Sequence, residues 1–134
     1  MYGISRFWVW SRSPAVAANT DAGVCGATLT LTAPTALDNC GIATITNDAP
    51  VLFPVGMTTV TWTVTDIHGN VTTCTQDVDV TDTELPTVIC TADILVNNTP
   101  GYFGASVLYQ TPIFDDNCGI VSVTQTDASG YTSG

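Results

Sequence analysis

Between residues 59 and 65 the chain reads Thr-Val-Thr-Trp-Thr-Val-Thr, so Val60, Trp62 and Val64 alternate strictly with threonines. Successive side chains of a β-strand point to opposite faces, and this period of two predicts a strand with one apolar and one polar face. Threonine suits the outer face because its branched side chain fits a pleated surface while its hydroxyl stays polar. Trp62 shares the parity of the valines, which predicts that it lies in the core.

The same alternation occurs on both sides of this run. Residues 27–32 alternate Ala, Leu and Leu with threonines, and residues 77–80 alternate Asp with Val. Segments rich in Gly, Pro, Asn and Asp separate these runs and predict turns, namely residues 21–23, 38–41, 47–50, 54–56 and 66–70. Since no segment has a helical period, the pattern predicts an all-β, antiparallel, immunoglobulin-like β-sandwich.

Two sequence motifs recur at one spacing, which indicates tandem copies. Residues 26–34 (GATLTLTAP) reappear as residues 104–112 (GASVLYQTP), and the sequence DNCGI at residues 38–42 reappears at residues 116–120. Both motifs are offset by 78 residues (104 − 26 and 116 − 38), and a register shared by separate motifs identifies a repeat. We predict an atypical N-terminal segment over 1–14, a full repeat over 15–84, and a second repeat over 85–134 that is truncated before its last strands.

The charge and cysteine content narrow the class of protein. Twelve acidic residues stand against two basic ones, Arg6 and Arg12. This composition excludes nucleic-acid binding, which depends on cationic contacts with phosphates. No run approaches the roughly 20 apolar residues of a membrane span. Five cysteines without a C-x-x-C pair, and a single histidine, favour disulfides in an oxidising compartment over zinc, so we expect an extracellular or cell-surface location.

These features together resemble the HYR (hyalin repeat) family of extracellular immunoglobulin-like modules, over about Ala18 to Gly134. The resemblance implies tandem extracellular arrays associated with adhesion, in which the neighbours are other repeats of the same chain, and no catalytic activity. Arg12 and Phe103 depart from the pattern, because they stand where the family usually places cysteines. The matching elements are Ala22–Ala27, Pro34, Asp38–Gly41, Phe53–Gly56, Val60–Asp66, Gly69–Asn70, Cys74–Val80, Asp82–Pro86 and Cys90.

In such a sandwich, the loop that Cys40 closes and the turn before Cys74 meet at one end. We therefore predict a Cys40–Cys74 disulfide, and we treat that bond as the clamp of the module. In the chain-entropy model a loop of this size contributes roughly 3–4 kcal/mol to stability.

Two pairings stay open for Cys25 and Cys90. A bond between them would pin the junction between the copies. Alternatively, each would pair within its own repeat at the positions that Arg12 and Phe103 hold, which would leave both as free thiols. We expect Cys118 to be unpaired, because the register places its partner past the last residue.

The acidic turns raise the possibility of Ca²⁺ as a cofactor, since that ion prefers carboxylate and carbonyl oxygens. The alternative is that the Asp and Asn side chains only bond the backbone of their own turns. We predict candidate ligands at one end of the first copy, in the linker and in the second copy: Asp38, Asp66, Asn70, Asp82, Glu84 and Asp116.

The sequence therefore predicts a non-catalytic structural or adhesive module of a long, repeat-containing secreted or cell-surface protein. One alternative is a glycan- or protein-binding module that uses the end loops, and another is an accessory domain of a secreted hydrolase. His68 is predicted to be a turn residue and not a general base, since no nucleophile motif accompanies it. Beyond about residue 85 we expect poor stability or self-association, because the apolar face of the second copy lacks covering strands.

Overall fold

A computed structural model describes residues 13–125 together with the backbone of Trp8–Val9. The predicted N-terminal segment 1–14 therefore lies largely outside the described residues, as does the end of the second repeat. The chain divides into two compact units, Met1–Glu84 and Leu85–Gly134, here called unit 1 and unit 2. All regular secondary structure in the described residues is β-strand, which confirms the predicted all-β class.

Unit 1 holds eight of the described strands, and unit 2 holds two. The strands of unit 1 are β1 (Trp8–Val9), β2 (Val16–Asn19), β3 (Gly26–Ala27), β4 (Ala36–Leu37), β5 (Ile42–Asn47), β6 (Phe53–Pro54), β7 (Gly56–Asp66) and β8 (Val71–Thr81). Those of unit 2 are β9 (Thr87–Ile89) and β10 (Ile113–Asp115).

A four-stranded sheet in the order β2-β8-β7-β5 is the frame of unit 1. Its centre is a long hairpin in which β7 and β8 pair from Gly56 opposite Val80 to Thr65 opposite Val71. Strand β5 pairs antiparallel with β7, whereas β2 runs parallel to β8. The sheet is therefore mixed, and its first strand departs from the antiparallel prediction.

The core of unit 1 lies on one face of this sheet, against the short β3–β6 pair. Along β7, Val60, Trp62 and Val64 are buried while the intervening threonines are not, as the alternation predicted. Along β8 the buried positions alternate in the same way. The buried cluster comprises Ala27, Phe53, Val60, Trp62, Cys74, Val78 and Val80, with Val16, Ala18, Leu29, Leu31 and Ala49 packed against it. This arrangement is the sandwich-like fold that the sequence predicted.

One predicted strand forms only in part. The alternating run of residues 27–32 pairs as a strand only at Gly26–Ala27, although Leu29 and Leu31 still pack on the core. The Thr28 N–H donates to the Asp21 carboxylate at 2.9 Å. Because that donor is taken by a side chain, it is not available to a neighbouring strand, and β3 ends before it.

Gly26 has no room for a side chain. A Cβ at this residue would lie 2.7 Å from the Phe53 carbonyl oxygen and 2.9 Å from Leu52 Cγ. We expect Gly26→Ala to lower the free energy of unfolding of unit 1 by about 1–3 kcal/mol, because a backbone atom cannot move aside cheaply. Urea denaturation followed by tryptophan fluorescence measures this loss.

The counterpart glycine in unit 2 supplies a matched control. A Cβ at Gly104 would meet nothing within 4 Å. Gly104→Ala should leave the urea midpoint of unit 1 unchanged. Equal effects of the two substitutions would show that the contact with Phe53 does not constrain residue 26.

Candidate functional site

The loop between β7 and β8 is organised by the carboxylate of Asp66. Asp66 is 2 % exposed, and its Oδ1 accepts the backbone N–H of His68 and of Asn70, each at 2.8 Å. Its Oδ2 accepts the side-chain amide of Asn70 at 2.7 Å. The two predicted calcium ligands of this loop are therefore bonded to each other, as in a turn held by an Asx side chain.

This geometry shifts the acidity of Asp66. The donated side-chain amide of Asn70 lowers the pKa of Asp66 below its ordinary value of 3.8. Burial opposes this effect, and the backbone N–H groups of Asn70 and His68 reinforce it. A carboxyl group whose pKa is lower in the folded state stabilises the fold above its unfolded pKa, and that contribution disappears as the pH falls through the folded pKa.

Asp66→Asn removes this pH-dependent contribution of the carboxylate. It also replaces one acceptor oxygen by an amide NH₂ group, which would face the N–H donors of His68 or Asn70. We expect the variant to be less stable than the wild type at neutral pH, and the gap to narrow as the pH falls below 3.8. Urea midpoints measured from pH 7 to pH 2 test this expectation. Asp79→Asn, on the exposed face of β8, is the control. If the urea midpoints of wild type and Asp66→Asn changed in parallel with pH, this expectation would be contradicted.

The carboxylates of the repeated Asp-Asn-Cys-Gly motif make the same turn in both units. Asp38 Oδ2 accepts the N–H of Cys40 at 2.9 Å and that of Gly41 at 3.2 Å. Asp116 Oδ2 accepts the N–H of Cys118 at 3.1 Å. The glycine of the first motif has φ 114°, and that of the second has φ 89°, a region that favours glycine.

The remaining predicted calcium ligands hold the end of unit 1 together. Asp82 Oδ1 accepts the Thr20 hydroxyl at 3.2 Å and the backbone N–H of Glu84 at 3.1 Å. Glu84 Oε2 accepts the N–H of Gly23 at 2.9 Å. These side chains fasten the segment after β8 to the loop after β2.

Calcium binding stays a prediction. Within residues 13–125, no group of three or more His, Cys, Asp or Glu residues is placed to hold a metal ion. Asp38 Oδ1 is buried and accepts no hydrogen bond from the described residues, but calcium takes about 6–8 oxygen ligands. A thermal shift with Ca²⁺ against a chelator is the direct test.

The predicted Cys40–Cys74 bond is wrong, because both residues are free thiols. Cys74 is buried in the core opposite Trp62, and burial raises the pKa of its thiol above the ordinary 9.0. Cys40 is exposed and precedes β5, which lies on the far side of β7. Two strand spacings are about 9.6 Å, beyond the roughly 7 Å that a disulfide spans between Cα atoms.

The predictions for the other cysteines also need correction. Cys90 is a free, exposed thiol, so the Cys25–Cys90 bond is not formed. Cys25 and Cys118 are each disulfide-bonded, so Cys118 is not the unpaired cysteine that the register suggested. For Cys118, the error came from assuming that its partner is the counterpart of Cys74, at position 152 (74 + 78).

A chain of hydrogen bonds that starts in the core of unit 1 was missed by the sequence reasoning. Gln76 is 3 % exposed, and its Oε1 accepts the indole N–H of Trp62 at 3.0 Å. Its Nε2 donates to the Pro14 carbonyl oxygen at 3.0 Å. The available signal was parity, because Gln76 lies two residues from both Cys74 and Val78 on the inward face of β8. This chain links the core to the segment that leads into β2.

A cleft of about 610 Å³ adjoins this chain at the edge of the unit 1 core. Its walls are largely apolar and include Pro14, Val16, Leu31 and Leu37, with Gln76 as a polar group. Among the described residues of this lining there is no His, Cys, Asp or Glu.

Comparison with known proteins places the chain in a family. The HYR domain model matches residues 12–80 and again residues 81–133, which together cover most of the sequence. The chain belongs to the HYR domain family. The two matches fit one full repeat and one partial repeat, as the 78-residue offset predicted.

Hyalin proteins from two organisms are similar to this HYR chain. Hyalin of Strongylocentrotus purpuratus is 34 % identical over 125 residues, which cover 88 % of this chain and 10 % of that protein. Hyalin of Lytechinus variegatus is 34 % identical over 117 residues, which cover 82 % of this chain and 22 % of that protein. The chain thus spans only about a tenth and about a fifth of these relatives. No solved structure matches it.

The described part of the HYR chain contains no helix with the length and apolar character needed to cross a membrane.

Proposed function

We propose that this HYR chain is a non-catalytic structural and adhesive module of a long secreted or cell-surface repeat protein. Its family membership, its internal 78-residue repeat and its similarity to much longer hyalins support this role. Disulfide-bonded cysteines and a strongly acidic surface suit an extracellular setting.

The observation that carries the structural role is the parallel pairing of β2 with β8. The ladder runs from Val16 opposite Val78 to Asn19 opposite Thr81. Backbone bonds from Ser13 N to Thr75 O at 3.4 Å and from Thr20 N to Thr81 O at 3.1 Å extend it at both ends. The first and last strands of the sheet in unit 1 are therefore hydrogen-bonded neighbours that run in the same direction.

This pairing sets how unit 1 resists tension. The chain enters β2 at one end of the strand pair and leaves β8 at the other end, so a pull on the two flanks loads the ladder along its length. Parallel hydrogen bonds are evenly spaced, and such a load must break several of them together. A pull that opens the β7–β8 hairpin from its open end breaks its bonds one after another. Unit 1 is thus suited to transmit tension through a row of repeats.

Single-molecule pulling of the full chain tests the load-bearing role. With handles at the exposed residues Ala15 and Glu84 we expect a higher unfolding force than with handles at Met57 and Thr81, which open the hairpin. Because the same protein is pulled in both geometries, a difference in unfolding force cannot come from a difference in stability. Equal forces in the two geometries would refute a tension-bearing design.

The adhesive role is tested separately with beads that carry the chain. We expect coated beads to bind one another or extracellular matrix, and to keep this binding when the Asp66–Asn70 loop is replaced by a tight turn. The loop carboxylate already accepts three internal hydrogen bonds, which favours a structural use of the loop. Loss of binding in the loop variant would support a loop-mediated ligand site instead.

A further inference from the structure

Strand β5 is an open edge of the four-stranded sheet in unit 1. The sheet order β2-β8-β7-β5 gives β5 one hydrogen-bonded neighbour, β7, and no strand on its other side within the described part of the chain. All residues of β5 after Ile42 are exposed. Such an edge presents a row of backbone N–H and C=O groups with which a strand of another molecule can pair.

Charged residues and proline, which commonly protect a sheet edge, are missing from β5. Residues 42–47 read Ile-Ala-Thr-Ile-Thr-Asn. A bulge between Ile42 and Thr44 confines the regular ladder with β7 to the residues that follow it. The opposite edge strand, β2, is better protected, because Pro14 precedes it and Asp21 follows it. Of the two edges of the sheet, β5 is therefore the one that is open to pairing.

One hydrogen bond at the end of the ladder shows which backbone groups of β5 point outward. The Asp48 N–H donates to the Thr61 carbonyl oxygen at 3.3 Å, so the backbone of Asp48 faces β7. Successive residues of an antiparallel ladder alternate between the two sides of the strand. The backbone groups of Ile45 and Asn47 therefore point away from β7, toward the open edge.

The charge of the chain favours one way for two copies to meet. Twelve acidic residues stand against two basic ones, so two copies repel each other, and they repel least through uncharged surface. Residues 42–47 carry no charge, and neither do residues 56–65 of the neighbouring strand β7. Two copies that meet through β5 therefore bring the uncharged side of the sheet together.

We propose that two copies of the chain pair antiparallel through β5, with Thr46 of one copy opposite Thr46 of the other. This register joins Ile45 to Asn47 of the second copy and uses the outward backbone groups of both residues. It places Asp48 opposite Thr44, so the two Asp48 residues lie about 14 Å apart along the strands. That separation exceeds the Debye length of about 8 Å at physiological salt. The inference does not rest on the adhesive role.

The side chains on both faces of β5 suit this register. Thr46 lies opposite Thr63 of β7 on the polar face, and the pairing adds a second threonine beside it, which is a favourable cross-strand neighbour. Ile45 lies opposite the fully buried Val64 on the core face and is itself 37 % exposed. The second copy therefore covers apolar surface that unit 1 leaves in water.

One such strand pair by itself binds weakly. Stable interfaces bury roughly 1,200–2,000 Å², which is more than two short strands cover. Several copies in a row raise the overall affinity, because every pair after the first forms within an assembled complex. A disulfide trap is therefore the sensitive way to detect the pairing of single chains.

A cysteine at the symmetry axis tests the register in the full chain. Cys40→Ser and Cys90→Ser are introduced in every version, because both residues are exposed free thiols. Thr46→Cys then places two thiols on directly opposed residues, whose Cα atoms lie about 4.5 Å apart in a pair of this kind, within the range of a disulfide. With oxidised glutathione to accept the two electrons and two protons, we expect a disulfide-linked dimer.

Thr44→Cys is the matched control, since Thr44 is also an exposed threonine on the polar face of β5. The proposed register holds two cysteines at this position about 14 Å apart along the strands, beyond the reach of a disulfide. We expect at least about tenfold less dimer than with Thr46→Cys. Equal linkage of the two variants, or no linkage of Thr46→Cys, would overturn the proposal.

Association without a disulfide gives a second readout. Thr46→Lys places two lysines opposite each other and should weaken dimerisation by about threefold, because like charges directly opposite are unfavourable. Thr44→Lys faces Asp48 of the second copy and should not weaken it. Sedimentation equilibrium of the full chain measures both dimer constants. An equal loss in the two lysine variants would contradict the register.

Discussion

Trp62→Ala should unfold unit 1 or bring it close to unfolding. Trp62 is 3 % exposed at the centre of the core cluster, and its ring contributes a large share of the apolar surface that the sheet buries. Truncating a buried aromatic residue costs about 3–5 kcal/mol, against the roughly 5–15 kcal/mol that stabilise a whole domain. The loss of its N–H also leaves the Gln76 carbonyl oxygen without its donor.

Urea denaturation followed by circular dichroism measures this loss. Thr63→Ala is the matched control, because the adjacent side chain lies on the opposite face of β7. We expect the control to change the free energy of unfolding by less than about 0.5 kcal/mol. Similar losses at residues 62 and 63 would show that β7 does not present one face to the core.

Gln76→Leu should destabilise unit 1 by about 1–3 kcal/mol, although leucine is the more hydrophobic side chain. The substitution leaves the buried Trp62 indole N–H without its acceptor, and it also removes the donor to the carbonyl oxygen of the exposed Pro14. An unpaired buried polar group costs about 1–3 kcal/mol. Equilibrium unfolding of the single variant gives this loss.

A double-mutant cycle shows whether the hydrogen bond is the cause. Trp62→Phe removes the N–H while keeping an aromatic ring, so Trp62→Phe combined with Gln76→Leu should cost less than the sum of the two single changes. Additive losses would contradict the role given to the Trp62–Gln76 bond. Thr75→Val, on the exposed face of β8, controls for substitution in this strand.

Most of the fold could be predicted from two periodic patterns in the sequence, the alternation of apolar and polar residues and the 78-residue repeat. The alternation around Trp62 predicted which side chains of β7 and β8 are buried, because strand parity ties each residue to one face. The 78-residue repeat likewise predicted one full and one partial copy. The parallel direction of β2 was not predictable from the same signal, since parity does not report the direction of a neighbouring strand.

The cysteine predictions failed for a physical reason. Sequence spacing shows which residues share a register, but a disulfide depends on Cα atoms that lie within about 7 Å of each other. Cys74 lies in the core beside β7, and Cys40 lies at the far side of that strand. The module fold is nevertheless formed, because the β7–β8 ladder and the apolar cluster specify it without that clamp.

The acidic residues show the same limit of sequence reasoning. Their positions predicted oxygen-rich turns, and Asp38, Asp66 and Asp116 do lie in such turns. Which donors their carboxylates would accept depends on loop geometry that spacing alone does not contain. Asx turns and calcium loops share the same residue types, so composition does not separate them.

The central claim is that one 78-residue copy is completely folded and the next is folded only in its opening part. Residue-resolved hydrogen exchange of the full chain tests it most directly. We predict that amides of β7 and β8 exchange only through global unfolding of unit 1, while residues 94–97 exchange at nearly unprotected rates. Equal protection of residues 94–97 and of β2, their counterpart in unit 1, would contradict the account.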